Sequence, residues 1–148
     1  MKKKIMPPTY FFVLLVILVI LHIIVPVSKI IPTPYNYFGI LFIVFGCVIN
    51  VITDNLFKHN KTTVKPHENP TSFITSGPFR ISRHPMYLGM LSILLGVAIL
   101  FGSLTAFIPC LIFIILMEIM FIPIEEKNLE KEFGNKYLEY KKRVGRWI

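Results

Sequence analysis

The sequence predicts an all-α, polytopic membrane protein with four transmembrane helices. Three observations carry this. The 148 residues are 54% hydrophobic and only 16% charged, with a mean hydropathy of +0.65, against about 25% charged in an ordinary soluble domain. Four apolar stretches of helical length follow one another. The basic residues fall almost entirely on one side of the membrane if those four stretches alternate. The length allows one domain, residues 1–148. Disorder, a collagen-like chain and nucleic-acid binding are excluded by the same composition.

The first span is expected at about residues 10–27, where Tyr10–Val27 is interrupted only by His22 and Pro26. It would rise about 27 Å, close to the hydrocarbon thickness. Lys2, Lys3 and Lys4 before it also suit a signal peptide, but the run is long for one and no small-residue cleavage site follows. The second span, about 37–53, contains Gly39, Gly46, Cys47 and Asn50. The third, about 86–101, and the fourth, about 104–124, are separated only by Gly102 and Ser103, so a tight helical hairpin is expected. With the amino terminus in the cytosol, every lysine and arginine but Lys29 lies on the cytosolic side. The +8 net charge is then explained by contact with anionic headgroups. The expected location is a multi-pass position in a bacterial or archaeal cell membrane, both termini cytosolic, with the lipid bilayer as the chief partner. Cys47 and Cys110 lack metal-ligand spacing and read as small buried apolar residues; no metal site is expected.

Polar residues concentrate in a loop, 54–85, and a tail, 125–148. In the tail, Leu129, Phe133, Tyr137, Tyr140, Val144 and Trp147 recur at spacings of three and four, predicting a C-terminal amphipathic interfacial helix. Gly134 interrupts it, and a local packing reason is expected. Glu118 and Glu125, seven apart, are placed on one helical face. Glu118 reads equally as a pocket residue or as a protonated or paired structural carboxylate. Pro109 and Pro123 are expected to bend the fourth helix. In Gly77–Gly89, GPFRISRHPMYLG, Pro85 suits the first turn of a helix whose free N–H groups could receive an anion. Headgroup contact is the plainer reading of Arg80 and Arg83, and a cap or interfacial imidazole that of His84.

These residues, with EEKNLEKEFGNKYLEYKKRVGRWI further on, resemble the isoprenylcysteine carboxyl methyltransferase and phospholipid methyltransferase superfamily of integral membrane enzymes. The shared pattern is Gly-x-Tyr/Phe, then R-H-P-x-Y-x-G, then a hairpin, then E-E-x-x-L-x-x-x-F-G-x-x-Y-x-x-Y. Every fixed position is matched, over about Thr71–Ile148. The resemblance implies methyl transfer from S-adenosylmethionine to a lipophilic small-molecule or lipid acceptor, the cofactor entering from the cytosol and the acceptor from the bilayer. Carried over by motif, cofactor contacts fall on Thr71, Ser72, Phe73 and Ile74, on Phe79, on His84, Pro85, Met86 and Tyr87, and on Glu125 and Glu126. Thr71 stands where the family often has histidine. Arg80, Arg83 and Glu118 are the acceptor-side candidates. The carboxyl methyltransferase branch places an arginine four residues before the first glutamate, where this chain has Phe121. The acceptor is therefore expected not to be a prenylcysteine carboxylate, unless a cation such as Arg80 holds it. A non-catalytic membrane protein keeping the methyltransferase fold is the alternative. A small transporter would need polar breaks near the midplane, whereas the polar residues gather at one face.

Overall fold

The computed structural model describes residues 6–25, 27–62, 68 and 70–148. Lys2, Lys3, Lys4, Pro26, Lys65 and His67 lie outside the described residues. Among the described residues there are six α-helices: α1 (Pro7–Ile24), α2 (Gly39–His59), α3 (Pro85–Phe101), α4 (Ile108–Leu116), α5 (Ile122–Phe133) and α6 (Asn135–Arg143). Short 3-10 turns precede α2, α3 and α4, and a π turn, Met117–Phe121, joins α4 to α5. Among the described residues no strand occurs beyond an isolated bridge between Lys29 and Ser103. Among the described residues three helical runs are long and apolar enough to cross a membrane: Pro7–Ile24, Tyr35–His59 and Leu104–Phe133. The expected third crossing, α3, is apolar but shorter, at 17 residues.

Several boundaries differ from the apolar stretches. Pro7 and Pro8 occupy the first turn of α1, where a missing N–H leaves nothing unsatisfied, so the helix starts before Tyr10. α2 runs on to His59 through residues expected in the loop. An Asp54–Lys58 pair and two basic residues in the last turn favour this extension. The fourth apolar stretch continues into the expected tail as far as Phe133. Where a bend is expected near Pro123, the helix changes type. Pro123 has no N–H for the Ile119 carbonyl, and the backbone widens into the π turn just before it.

α3 is the axis of the core. Met90, Leu91, Leu94 and Ala98 pack with Phe11, Leu14 and Leu18 of α1 and with Cys110 and Phe113 of α4. On its other side α3 meets α2 backbone to backbone. A Cβ added to Gly39 would collide with the Gly96 carbonyl, and one on Gly46 with the Gly89 carbonyl; in reverse, one on Gly96 would strike the Gly39 carbonyl, and one on Gly89 the Asn50 side chain first and then the Gly46 carbonyl. The seven-residue spacing in both helices repeats this close approach over two turns. The outer faces of α1 and α2 expose Phe12, Val16, Ile20, Leu41, Val44 and Val48, as a bilayer-facing surface does. Cys47 lies exposed on α2, contrary to expectation, and Cys110 is buried.

At the far end of α3, the turn at Gly102–Ser103 is held by its neighbours. The Gly102 carbonyl accepts from Ile30 and Ile31, and Leu104 N–H donates to Ser28. His22 of α1 stacks on Phe101 and bonds Ser103 Oγ at 2.9 Å. The tail is two helices instead of one. Gly134 has φ +49° and ψ −125°, and nothing lies within 4 Å of the position its Cβ would take. Backbone conformation, and not packing, is the reason for glycine there.

Candidate functional site

The site is built where the turn before α3, the start of α5 and the last helix converge. Pro78 and Phe79 lie in a 3-10 turn whose Phe79 carbonyl accepts the Tyr140 hydroxyl of α6 at 2.6 Å. Ser82 Oγ accepts the His84 N–H at 3.1 Å and donates to the Arg146 carbonyl at 2.9 Å. His84 is the N-cap of α3, but its side chain makes no capping bond. The N–H groups of Tyr87 and Leu88 both turn back to its carbonyl, so the helix start offers an anion fewer donors than expected.

The His84 ring instead reaches across to α5. Its Nδ1 donates to Glu125 Oε2 at 2.9 Å, and the other Glu125 oxygen accepts the Tyr87 hydroxyl. The His84 and Tyr87 rings lie nearly parallel, 5.7 Å apart. Glu125 thus has both oxygens engaged while its side chain keeps 20% exposure. On the far side, His84 Nε2 faces Glu126 Oε1 at 3.7 Å. Burial alone would lower the His84 pKa, but the hydrogen bonds and charges of Glu125 and Glu126 outweigh it and hold it above the ordinary value. The imidazole is therefore biased toward its charged form.

A half-open crevice enclosing about 150 Å³ lies against these groups. That is below the roughly 300 Å³ of a small ligand pocket, so a larger ligand would extend through its mouth. Of the predicted cofactor residues, Ser72, Phe73, Ile74, Phe79, His84, Pro85, Met86, Tyr87 and Glu125 line it. Thr71 does not; its N–H and hydroxyl bond Thr62 and Lys61. Glu126 faces away from the crevice, into a cluster with Arg83 and Arg146. Among the acceptor-side candidates, Arg83 lines the crevice while pairing with Glu126 at 2.8 Å, and Arg80 is exposed outside it. Glu118 is also outside, bonded to Arg146 and to the Trp147 indole. It is a paired carboxylate, and it does not share a face with Glu125. The π turn inserts one residue, which rotates Glu118 into line with Glu126, and Arg146 grips both.

Pro7, Pro8, Phe57, Met90 and Asn128, outside the sequence-predicted set, also line the crevice. Phe57 carried a signal, since α2 outlasts its apolar run. Pro7 and Pro8 carried none, being remote in sequence. Leu129 and Tyr140 were found only as members of an apolar stripe. That stripe is packed inside the protein: Phe73 stacks on Phe133 at 5.1 Å and meets Tyr140 edge-on at 5.5 Å.

The described residues thus form an apolar helical bundle, with helices long enough to cross a membrane and a carboxylate–imidazole crevice at one end. Residues 35–136 match the family model described as phospholipid methyltransferase, and the chain belongs to that family. This agrees with the resemblance drawn from the motifs, and it implies a membrane methyltransferase. The chain is also 40% identical over 63 residues to an uncharacterized protein of Haemophilus influenzae, a match covering 43% of this chain and 100% of that one.

Proposed function

We propose that the protein is an S-adenosylmethionine-dependent methyltransferase of the membrane, methylating a lipophilic acceptor. The observation that carries this is the 2.9 Å bond between His84 and Glu125, two motif residues 41 positions apart that meet at one crevice.

The residues present suit the cofactor. Glu125 offers a partly exposed carboxylate to an ammonium or a ribose diol. Phe79 and Tyr87 offer aromatic faces, toward which a sulfonium is attracted. When bound, the cofactor supplies an electrophilic methyl group and needs no protein nucleophile. The chain's own residues then bind, align and exclude water: His84 and Tyr87 orient Glu125, and the Phe73–Tyr140 contact closes the crevice from α6.

In this reading α3 crosses the bilayer as a fourth span, paired with α4 across Gly102–Ser103. The cofactor enters from the cytosol and the acceptor from the lipid. Lys29 supports that orientation, since it sits with Ser103 at the end of α3 opposite the crevice. The acceptor is a lipid amine or a neutral group. Phe121 is buried edge-on against Tyr10, and Arg83 is already paired, so no unengaged crevice cation is offered to an acceptor carboxylate among the described residues.

The test is purified protein in lipid nanodiscs with methyl-tritiated cofactor. Saturable cofactor binding and label in the organic extract are expected. A folded sample that binds no cofactor refutes the proposal, and efficient methylation of a farnesylcysteine analogue refutes the acceptor reading.

A further inference from the structure

Glu126 follows Glu125 in sequence but points the other way, and its buried carboxylate is approached from several elements. Arg83 Nη1 reaches Oε1 at 2.8 Å from the turn before α3. Arg146 spans both oxygens as a fork, Nε to Oε1 and Nη2 to Oε2, each at 3.0 Å. Lys141 Nζ of α6 stands 3.6 Å from Oε2. His84 Nε2 faces Oε1 from 3.7 Å, buried and without a hydrogen bond of its own. Arg146 has a second hold on the π turn, where its Nη1 donates to Glu118 at 2.8 Å. The backbone around it is fixed too: the Gly145 carbonyl accepts the Arg83 N–H at 3.0 Å, and the Arg146 carbonyl accepts Ser82 Oγ. Arg146 does not line the crevice.

We propose that Arg146 is a positioning residue of the cofactor crevice, acting through Glu126 to set where His84 sits between the two glutamates. The proposal rests on the cofactor reading given above. Its physics is a competition for one oxygen. Arg146 and His84 both reach Glu126 Oε1, at 3.0 and 3.7 Å, and so lie within about 7 Å of each other. The groups facing the imidazole are Glu125 and Glu126 from α5, Tyr87 from α3, and Arg83 from its own turn, with Tyr137 of α6 bonded behind Arg83. With Arg146 in place, Glu126 is neutralised by arginines and the imidazole commits to Glu125. Without it, Glu126 draws the ring away from the crevice, and its charge raises the pH at which His84 titrates.

The test uses full-length protein in nanodiscs, labelled with nitrogen-15 histidine. The His84 signal is assigned by its absence from His84→Asn, and S-adenosylhomocysteine binding is measured alongside. Arg146→Gln is expected to raise the His84 titration midpoint by about half a pH unit or more. It is also expected to weaken binding by about tenfold. Arg146→Lys returns the charge and restores the midpoint, but one ammonium cannot fork across both oxygens, so binding stays several-fold weak. A residue that merely fastens the fold would lower the melting temperature and leave the midpoint in place. An unchanged midpoint in folded Arg146→Gln overturns the proposal; if that variant does not fold, wild-type binding by Arg146→Lys overturns it. A wild type that binds no S-adenosylhomocysteine refutes the cofactor reading, while the titration still decides whether Arg146 acts on His84.

Discussion

Replacing Glu125 with glutamine isolates the charge of the crevice from its hydrogen bonding. In the native site Oε2 accepts His84 Nδ1 at 2.9 Å and Oε1 accepts the Tyr87 hydroxyl. A glutamine oxygen keeps the histidine bond. The amide N–H donates to the Tyr87 oxygen, so both hydrogen-bonded pairs persist, although the Tyr87 hydroxyl hydrogen gives up its carboxylate acceptor. The fold should survive with a small change in melting temperature. What disappears is the negative charge available to the ammonium of the proposed cofactor. A hydrogen bond to a charged group contributes about 1.5–3 kcal/mol, or roughly 10- to 150-fold in affinity. Calorimetric titration of S-adenosylhomocysteine into nanodisc-embedded protein measures this directly, with thermal melting run in parallel. Binding within about threefold of wild type, from a variant that melts normally, would refute the role of Glu125.

Three further perturbations test the surrounding structure. The folded His84 midpoint lies above its ordinary value of 6.5, so its stabilisation is complete below about pH 6.5 and is lost as pH rises through the elevated midpoint. Melting temperature should fall across that window, and His84→Asn should flatten the dependence. Gly46→Ala drives a methyl into the Gly89 carbonyl; it should destabilise by about 1–3 kcal/mol, read by thermal melting in nanodiscs. Pro123→Ala restores an N–H for the Ile119 carbonyl, letting the π turn close to an α turn and parting Glu118 from its partners. Trp147 is the sole tryptophan, so its fluorescence should shift to the red; unchanged emission would mean that the proline does not hold the turn open.

Helical class and the membrane character were legible because long apolar runs can be read from local sequence without knowing any long-range contact. Much of the crevice was legible too, because His84, Tyr87 and Glu125 lie within dense motifs. What escaped depended on register or long-range closure. The Gly39 and Gly46 spacing was visible, but its pairing with Gly96 and Gly89 required the alignment of two helices. The helical repeat placed Glu118 with Glu125, whereas one inserted residue placed it with Glu126. The stripe through Trp147 was read as one helix, although the chain leaves helix at Val144 so that Arg146 can fold back on Glu126. Thr71 and Arg80 followed the motif or the charge pattern but turn outward, which adjacency in sequence cannot reveal.

The π turn uncouples two halves of one long rod. Upstream of it, side chains are phased to the lipid and the bundle; downstream, the count restarts one residue later, as a gear slipped by a tooth. Of two adjacent glutamates, one then lines the crevice and the other is locked into the brace. Closing that turn to a regular helix with every residue kept would exchange their duties, whereas deleting one residue between Leu116 and Ile122 would leave Glu118 and Glu126 seven apart and still aligned.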